Sequence, residues 1–139
     1  MYYIDSYDFN IKAYDFELKT GSISNERIVV KIDAPNHTPD GMCIDEEGML
    51  WVAMWGGACV HRFNPFDGTL IGIVNVAALN VSSCALGGEN MDRLFITTAR
   101  VGLSDEQLKQ YPLSGSLFIV KTRIKGLPAN CFSSISNSR

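Results

Sequence analysis

The sequence predicts an all-β chain, an arc of about three propeller blades of four short strands each. One observation is a recurring unit. Asp40-Gly41-Met42-Cys43-Ile44-Asp45, a turn at Glu46-Glu47-Gly48 and Leu50-Trp51-Val52-Ala53 make one copy; Ser82-Ser83-Cys84-Ala85-Leu86-Gly87-Gly88, a turn over 90–93 and Leu94-Phe95-Ile96-Thr97 make another. A second observation is the period. Tyr2-Tyr3-Ile4-Asp5 matches the second half of the unit, and Tyr2, Leu50 and Leu94 stand in register at spacings of 48 and 44 residues, the content of one blade. A third is that Phe16 before Gly21 and Phe63 before Gly68 repeat an offset of 47. Three blades do not close a ring, and the first copy lacks its beginning. The expectation is therefore a partial propeller whose first blade is missing its innermost strand.

The elements follow in order. Residues 1–5 read as a strand, Ile11 to Phe16 alternate as the next, and Arg27 to Ile32 return as an outer strand after the turn at Lys19-Thr20-Gly21. Ala34 to Pro39 holds two prolines and no period, and reads as a loop between blades. The middle blade has four strands: Gly41 to Asp45, Leu50 to Met54, Val60 to Asn64 and Leu70 to Val76. Turn chemistry at Glu46-Glu47-Gly48, Gly56-Gly57 and Pro65-Phe66-Asp67-Gly68 joins them. The last blade carries an insertion in which Ser104 and Gln107 form a capping box, predicting one or two helical turns. Gly115 to Val120 resumes the strand pattern. One domain over 1–132 is expected, with 133–139 a disordered polar tail.

Composition excludes several classes. The 139 residues are 46% hydrophobic and 19% charged, with a formal charge of -3 and no basic stripe, so nucleic acid is not an expected partner. Cys43, Cys59, Cys84 and Cys131 contain no Cys-x-x-Cys pair, which argues against a zinc cluster and for reduced, mostly buried thiols. Gly72, Asn75 and Asn80 interrupt the longest apolar stretch, so it does not span a membrane. Asp5 and Asp8 stand where a secretory leader needs a cationic start and an apolar run. A cytoplasmic protein is the default expectation.

Taken together, the motifs Tyr2-Tyr3-Ile4-Asp5-Ser6, Ala13-Tyr14-Asp15, Gly21-x-Ile23-Ser24-Asn25-x-Arg27, Pro39-Asp40-Gly41-Met42-Cys43-Ile44-Asp45, Gly48-x-Leu50-Trp51-Val52-Ala53, Gly56-Gly57, Ser83-Cys84, Gly87-Gly88, Ala99-Arg100-x-Gly102-Leu103 and Gly126 resemble the SMP-30/gluconolactonase/regucalcin family over about residues 1 to 132. The resemblance implies a six-bladed β-propeller of roughly twice this length, of which this chain is similar to the C-terminal half. It implies a divalent metal in the central channel, Ca²⁺ first and Zn²⁺, Mg²⁺ or Mn²⁺ as alternatives, and hydrolysis of sugar lactones. Of the family's metal ligands only the aspartate of the Pro-Asp-Gly motif maps here, onto Asp40. The resemblance thus assigns Asp40 as metal ligand and as the general base that accepts a proton from water. Asp-Gly is also an ordinary turn start, the plain structural reading of the same dipeptide.

Other candidates have plainer readings. His37 reads as a solvated loop histidine near Asp40, and His61 as a blade-face residue. Ser82-Ser83 lack a nucleophile elbow. Trp51 and Trp55 read as core or channel-wall aromatics, and Asp45 with Glu46 and Glu47 as a solvated charge cluster at a turn. No phosphate-binding loop surrounds the paired glycines. The expectation is a calcium-dependent lactonase polypeptide that is incomplete and inactive alone, the alternative being a non-enzymatic calcium-binding or interaction propeller fragment. Its expected partners are a sugar lactone and, because open blade edges are sticky, a second copy or a complementary N-terminal half.

Overall fold

The computed structural model describes residues 1–33 and 36–130. Among these residues ten strands make three antiparallel sheets. β1 (Tyr2–Asp5), β2 (Asn10–Phe16) and β3 (Ile23–Lys31) form the first; β4 (Thr38–Ile44), β5 (Leu50–Trp55), β6 (Cys59–Phe63) and β7 (Leu70–Asn75) the second; β8 (Asn80–Gly87), β9 (Arg93–Ala99) and β10 (Leu117–Lys121) the third. Each sheet is a meander of neighbours in sequence. β1, β5 and β9 occupy equivalent places, as the 48- and 44-residue spacings require, and among the described residues the first sheet has no strand beyond β1 to match β4 and β8. The expectation of about three four-stranded units is corrected in one respect. Only the second sheet has four strands, because in the third the described chain leaves β10 without forming a counterpart to β7.

The second sheet lies between the other two, and β5 shows why its sequence is an unbroken apolar run. Leu50, Val52 and Met54 point to one side and pack with Ile11, Val30 and Phe63 against the first sheet. Trp51 and Ala53 point to the other and pack with Val81, Cys84, Leu94 and Ile96 against the third. A strand covered on both faces has no place for polar alternation. Outer strands are covered on one side only: on β10, Leu117 and Ile119 are 59% and 54% exposed.

Local chemistry sets the joints. Gly48 takes φ +81° in the β4–β5 turn, a conformation that L side chains rarely adopt. Between β9 and β10 sits a short helix, α1 (Asp105–Gln110). Its capping box is formed as expected: the Gln107 amide donates to Ser104 Oγ at 3.3 Å, and the Ser104 amide donates to Gln107 Oε1 at 2.9 Å. No helix among the described residues is long and apolar enough to cross a membrane. Residues 34–35, Cys131 and the tail expected over 133–139 lie outside the described residues.

Thr38 and Pro39 correct another expectation, since they belong to β4 rather than to the preceding loop. Proline lacks an amide to give to a ladder, which is why Pro39 reads as a breaker. Here β4 is an edge strand of its sheet and Pro39 stands at an irregularity, the two settings in which a strand accepts proline.

Candidate metal site

Asp40 sits in a β-bulge. Pro39 pairs with Met54 and Met42 with Val52, so Asp40 and Gly41 together face the single residue between those partners. A bulge turns a side chain out of the regular alternation, and bulges recur beside functional sites. The equivalent place in the next repeat has the same device: Val81 pairs with Thr98 and Ser83 with Thr97, leaving Ser82 as the extra residue. Ser82 Oγ and Thr97 Oγ1 share a hydrogen bond of 2.9 Å, so this serine is tied to its neighbouring strand.

Gly41 explains how β4 comes close to β8. A Cβ on Gly41 would lie 2.6 Å from Ser83 Cβ and 2.9 Å from Ser83 Cα, distances at which the backbone itself must shift. Any larger residue after Asp40 would wedge the second and third sheets apart at the point where the carboxylate is presented.

Partial burial pushes the Asp40 carboxyl above the ordinary aspartate range, and the neighbouring Gly41 amide opposes this. Asp15, Glu26 and Asp67 go the other way, held below the ordinary carboxylate range by hydrogen bonds, from Asn25 and Arg27, from Tyr14, and from Thr69 respectively. Asp40 thus stands out as a partly desolvated carboxylate without a cationic partner among the described residues, an arrangement that a cation would relieve. A divalent cation takes about six to eight oxygens. Among the described residues no group of three or more His, Cys, Asp or Glu is placed to hold a metal. Among the described residues Asp40 thus stands without the carboxylate, imidazole or thiol companions of a preformed metal cluster.

A cavity of about 540 Å³ opens at the same end of the sheets, between the second and the third, lined by His37, Thr38, Trp55, Asn80 and Gln107 among others. His37 is half-buried there and packs on Gly57, so it is less solvated than the sequence suggests. His61 is a blade-face residue as expected, edge-on to Phe63 at 5.6 Å, with burial lowering its pKa.

Asp45 overturns the reading of a solvated charge cluster: it is 0% exposed. Its Oδ1 accepts from the amides of Glu47 and Met49 at 3.0 Å each, and its Oδ2 accepts from Trp51 Nε1 and Arg62 Nε at 2.8 Å each. The Arg62 guanidinium also pairs with Glu47 at 2.7 Å and lies 5.5 Å from the Trp51 ring centre. Trp51 is a core residue, as expected. The signal available in the sequence was an aspartate three residues before a turn glycine, with Trp51 and Arg62 on strands that a hairpin pairs. The network is structural, fastening the β4–β5 turn to β6.

Comparison with known proteins places these features. A family model described as SMP-30/Gluconolactonase/LRE-like region matches residues 1–100. Regucalcin from Sus scrofa is 42% identical over 128 residues, which cover 91% of this chain and 43% of that protein. Among solved structures, a luciferin-regenerating enzyme aligns with TM-score 0.81 at 34% identity, and a calcium-binding protein, regucalcin, from Agrobacterium tumefaciens with TM-score 0.83 at 26% identity. Each alignment covers 91% of this chain and 43% of the other. The chain thus spans less than half the length of the relatives it matches.

Proposed function

The chain belongs to the SMP-30/gluconolactonase/LRE-like family, and on that premise we propose that it supplies one part of a six-bladed propeller that hydrolyses a sugar lactone with the help of a divalent cation, calcium in the first place. The observation that carries this reading is Asp40: the bulge at the start of β4 sets the Pro-Asp-Gly carboxylate apart from the ladder, partly desolvated and without a cationic partner. A raised carboxyl is also a better proton acceptor at neutral pH than an ordinary aspartate, which suits a general base. Asp40 belongs to no cluster of three or more carboxylate, imidazole or thiol groups among the described residues, so the chain alone is expected to be inactive.

The test is a chimera in which this chain replaces the matching segment of a full-length regucalcin. Lactone hydrolysis in the presence of Ca²⁺ is expected for the chimera, with a loss of at least about 100-fold in kcat on Asp40→Ala. Hydrolysis that survives the substitution rejects the role of Asp40. A second reading, a calcium-binding protein without catalysis, is favoured by the name of the Agrobacterium tumefaciens neighbour; it predicts a chimera that binds Ca²⁺ through Asp40 and leaves lactones intact.

A further inference from the structure

Cys43 on β4 and Cys84 on β8 face each other across the junction of the second and third sheets, with their Sγ atoms 3.9 Å apart. From this juxtaposition we propose that the two thiols form a peroxide-sensitive pair, a site of reversible covalent modification that ties β4 to β8 when oxidised.

The two sulfurs have different surroundings. Cys84 is 5% exposed within the apolar cluster that joins the sheets, and its thiol also reaches the Trp51 carbonyl at 3.3 Å. Cys43 is half-buried and lines two cavities, one of about 410 Å³ with Ala85, Leu86 and Leu127, the other of about 250 Å³ with Tyr2, Met42 and Leu50. Cys43 thus borders open space on two sides, each large enough for a molecule the size of hydrogen peroxide, while Cys84 lies behind it. The contact between the two sulfurs, in which either can be the donor, lowers the pKa of the Cys43 thiol and raises that of Cys84. This is the division of labour between an attacking and a resolving thiol. Two thiols that merely filled core space would not need one of them open on two cavities. Cys59 shows that other case: it is buried, its thiol is pushed up by burial, and it has no cysteine beside it among the described residues.

The chemistry balances with peroxide as the oxidant. The Cys43 thiolate attacks one peroxide oxygen; the sulfur–oxygen bond forms, the oxygen–oxygen bond breaks, and hydroxide leaves and is protonated by solvent. The Cys84 sulfur then attacks the Cys43 sulfur; the sulfur–sulfur bond forms, and the hydroxyl departs as water with the Cys84 proton. A closure of about 2 Å, within the range of side-chain rotation, brings 3.9 Å to bonding distance. A reductant of the dithiol class reverses the step. Because Asp40 lies on the same strand, oxidation fixes its position relative to β8.

The experiment treats the purified chain with hydrogen peroxide under native conditions, then alkylates remaining thiols in denaturant and maps the peptides by mass spectrometry. Two of the four cysteines should escape alkylation, with a loss of about 2 Da for the two hydrogens removed and a cross-link joining the Cys43 and Cys84 peptides. Dithiothreitol should restore all four. Cys84→Ala should accumulate a sulfenic acid at Cys43 that dimedone traps, and Cys43→Ala should give neither adduct nor cross-link. Four alkylated thiols after peroxide, a cross-link through Cys59 or Cys131, mixed pairings, or oxidation of Cys43 to sulfinic acid without a cross-link would each overturn the proposal.

Discussion

Replacing Asp45 should remove a large share of the chain's stability, although the sequence around it looks like an exposed acidic turn. The carboxylate is fully buried and holds two backbone amides, the Trp51 indole and the Arg62 guanidinium. Breaking a buried pair by removing one partner costs about 3–5 kcal/mol. The unmatched donors give a similar figure, at roughly 1–3 kcal/mol each for the two amides and the indole, reduced where water reaches them. Asp45→Ala is therefore expected to cost about 3–5 kcal/mol out of a domain stability of about 5–15 kcal/mol. With a urea m-value of about 2 kcal/mol/M, the midpoint falls by roughly 2 M. Asp45→Asn should be nearly as harmful despite its identical shape, because whichever way the amide turns, its NH₂ group meets two donors. Asp67→Ala is the control. That aspartate also accepts several hydrogen bonds, three from Thr69 and Asn64 against four at Asp45, but on the surface, and its loss should be far smaller. Equilibrium urea unfolding followed by tryptophan fluorescence and circular dichroism reads all three. A midpoint for Asp45→Asn within about 0.3 M of the parent would refute the argument that the buried acceptor is structural.

Other outcomes follow from the same geometry. Gly41→Ala should destabilise by about 1–3 kcal/mol in the same urea assay, because the added methyl meets the Ser83 backbone. Asp40→Asn should stabilise the chain slightly at neutral pH, by less than about 1 kcal/mol since solvent still reaches the carboxylate. The sign follows from its raised pKa: the aspartate's favourable contribution is complete below the unfolded carboxyl pKa and is lost as pH rises through the folded one. The variant's advantage should therefore grow from acid to neutral pH in parallel melts; a constant difference would contradict the assignment. Sedimentation velocity should show concentration-dependent association, driven by the open β1 edge and the exposed Leu117 and Ile119. A sharp monomer at all concentrations with a cooperative melt would count against it.

What the sequence revealed divides along the range of the interactions involved. Turn glycines and the Ser104–Gln107 capping box are set by neighbours a few residues apart, and the structure has them where the sequence predicts, while the return strand expected over Arg27 to Ile32 begins earlier, as β3 (Ile23–Lys31). Pro39 shows the limit of that logic: a local breaker becomes acceptable once β4 is known to be an edge strand with a bulge. Asp45 shows it again, since nothing near residue 45 reveals that Arg62, on β6, neutralises it. The approach of Cys43 to Cys84 depends on how two sheets stack, which no single-strand pattern encodes. Asp40 was legible as a candidate through its motif. Its bulge, its partial burial and the need for glycine beside it came from the pairing of β4 with β5 and its contact with β8.

The most direct test of the central proposal, that this chain offers one carboxylate toward a cation site completed elsewhere, is a calorimetric titration of the purified chain with Ca²⁺, run beside Asp40→Asn. The account predicts a dissociation constant of about 10⁻³ M or weaker for the parent, the weak end of calcium sites, and no measurable heat for the variant. Micromolar binding by the parent that persists in Asp40→Asn would contradict it.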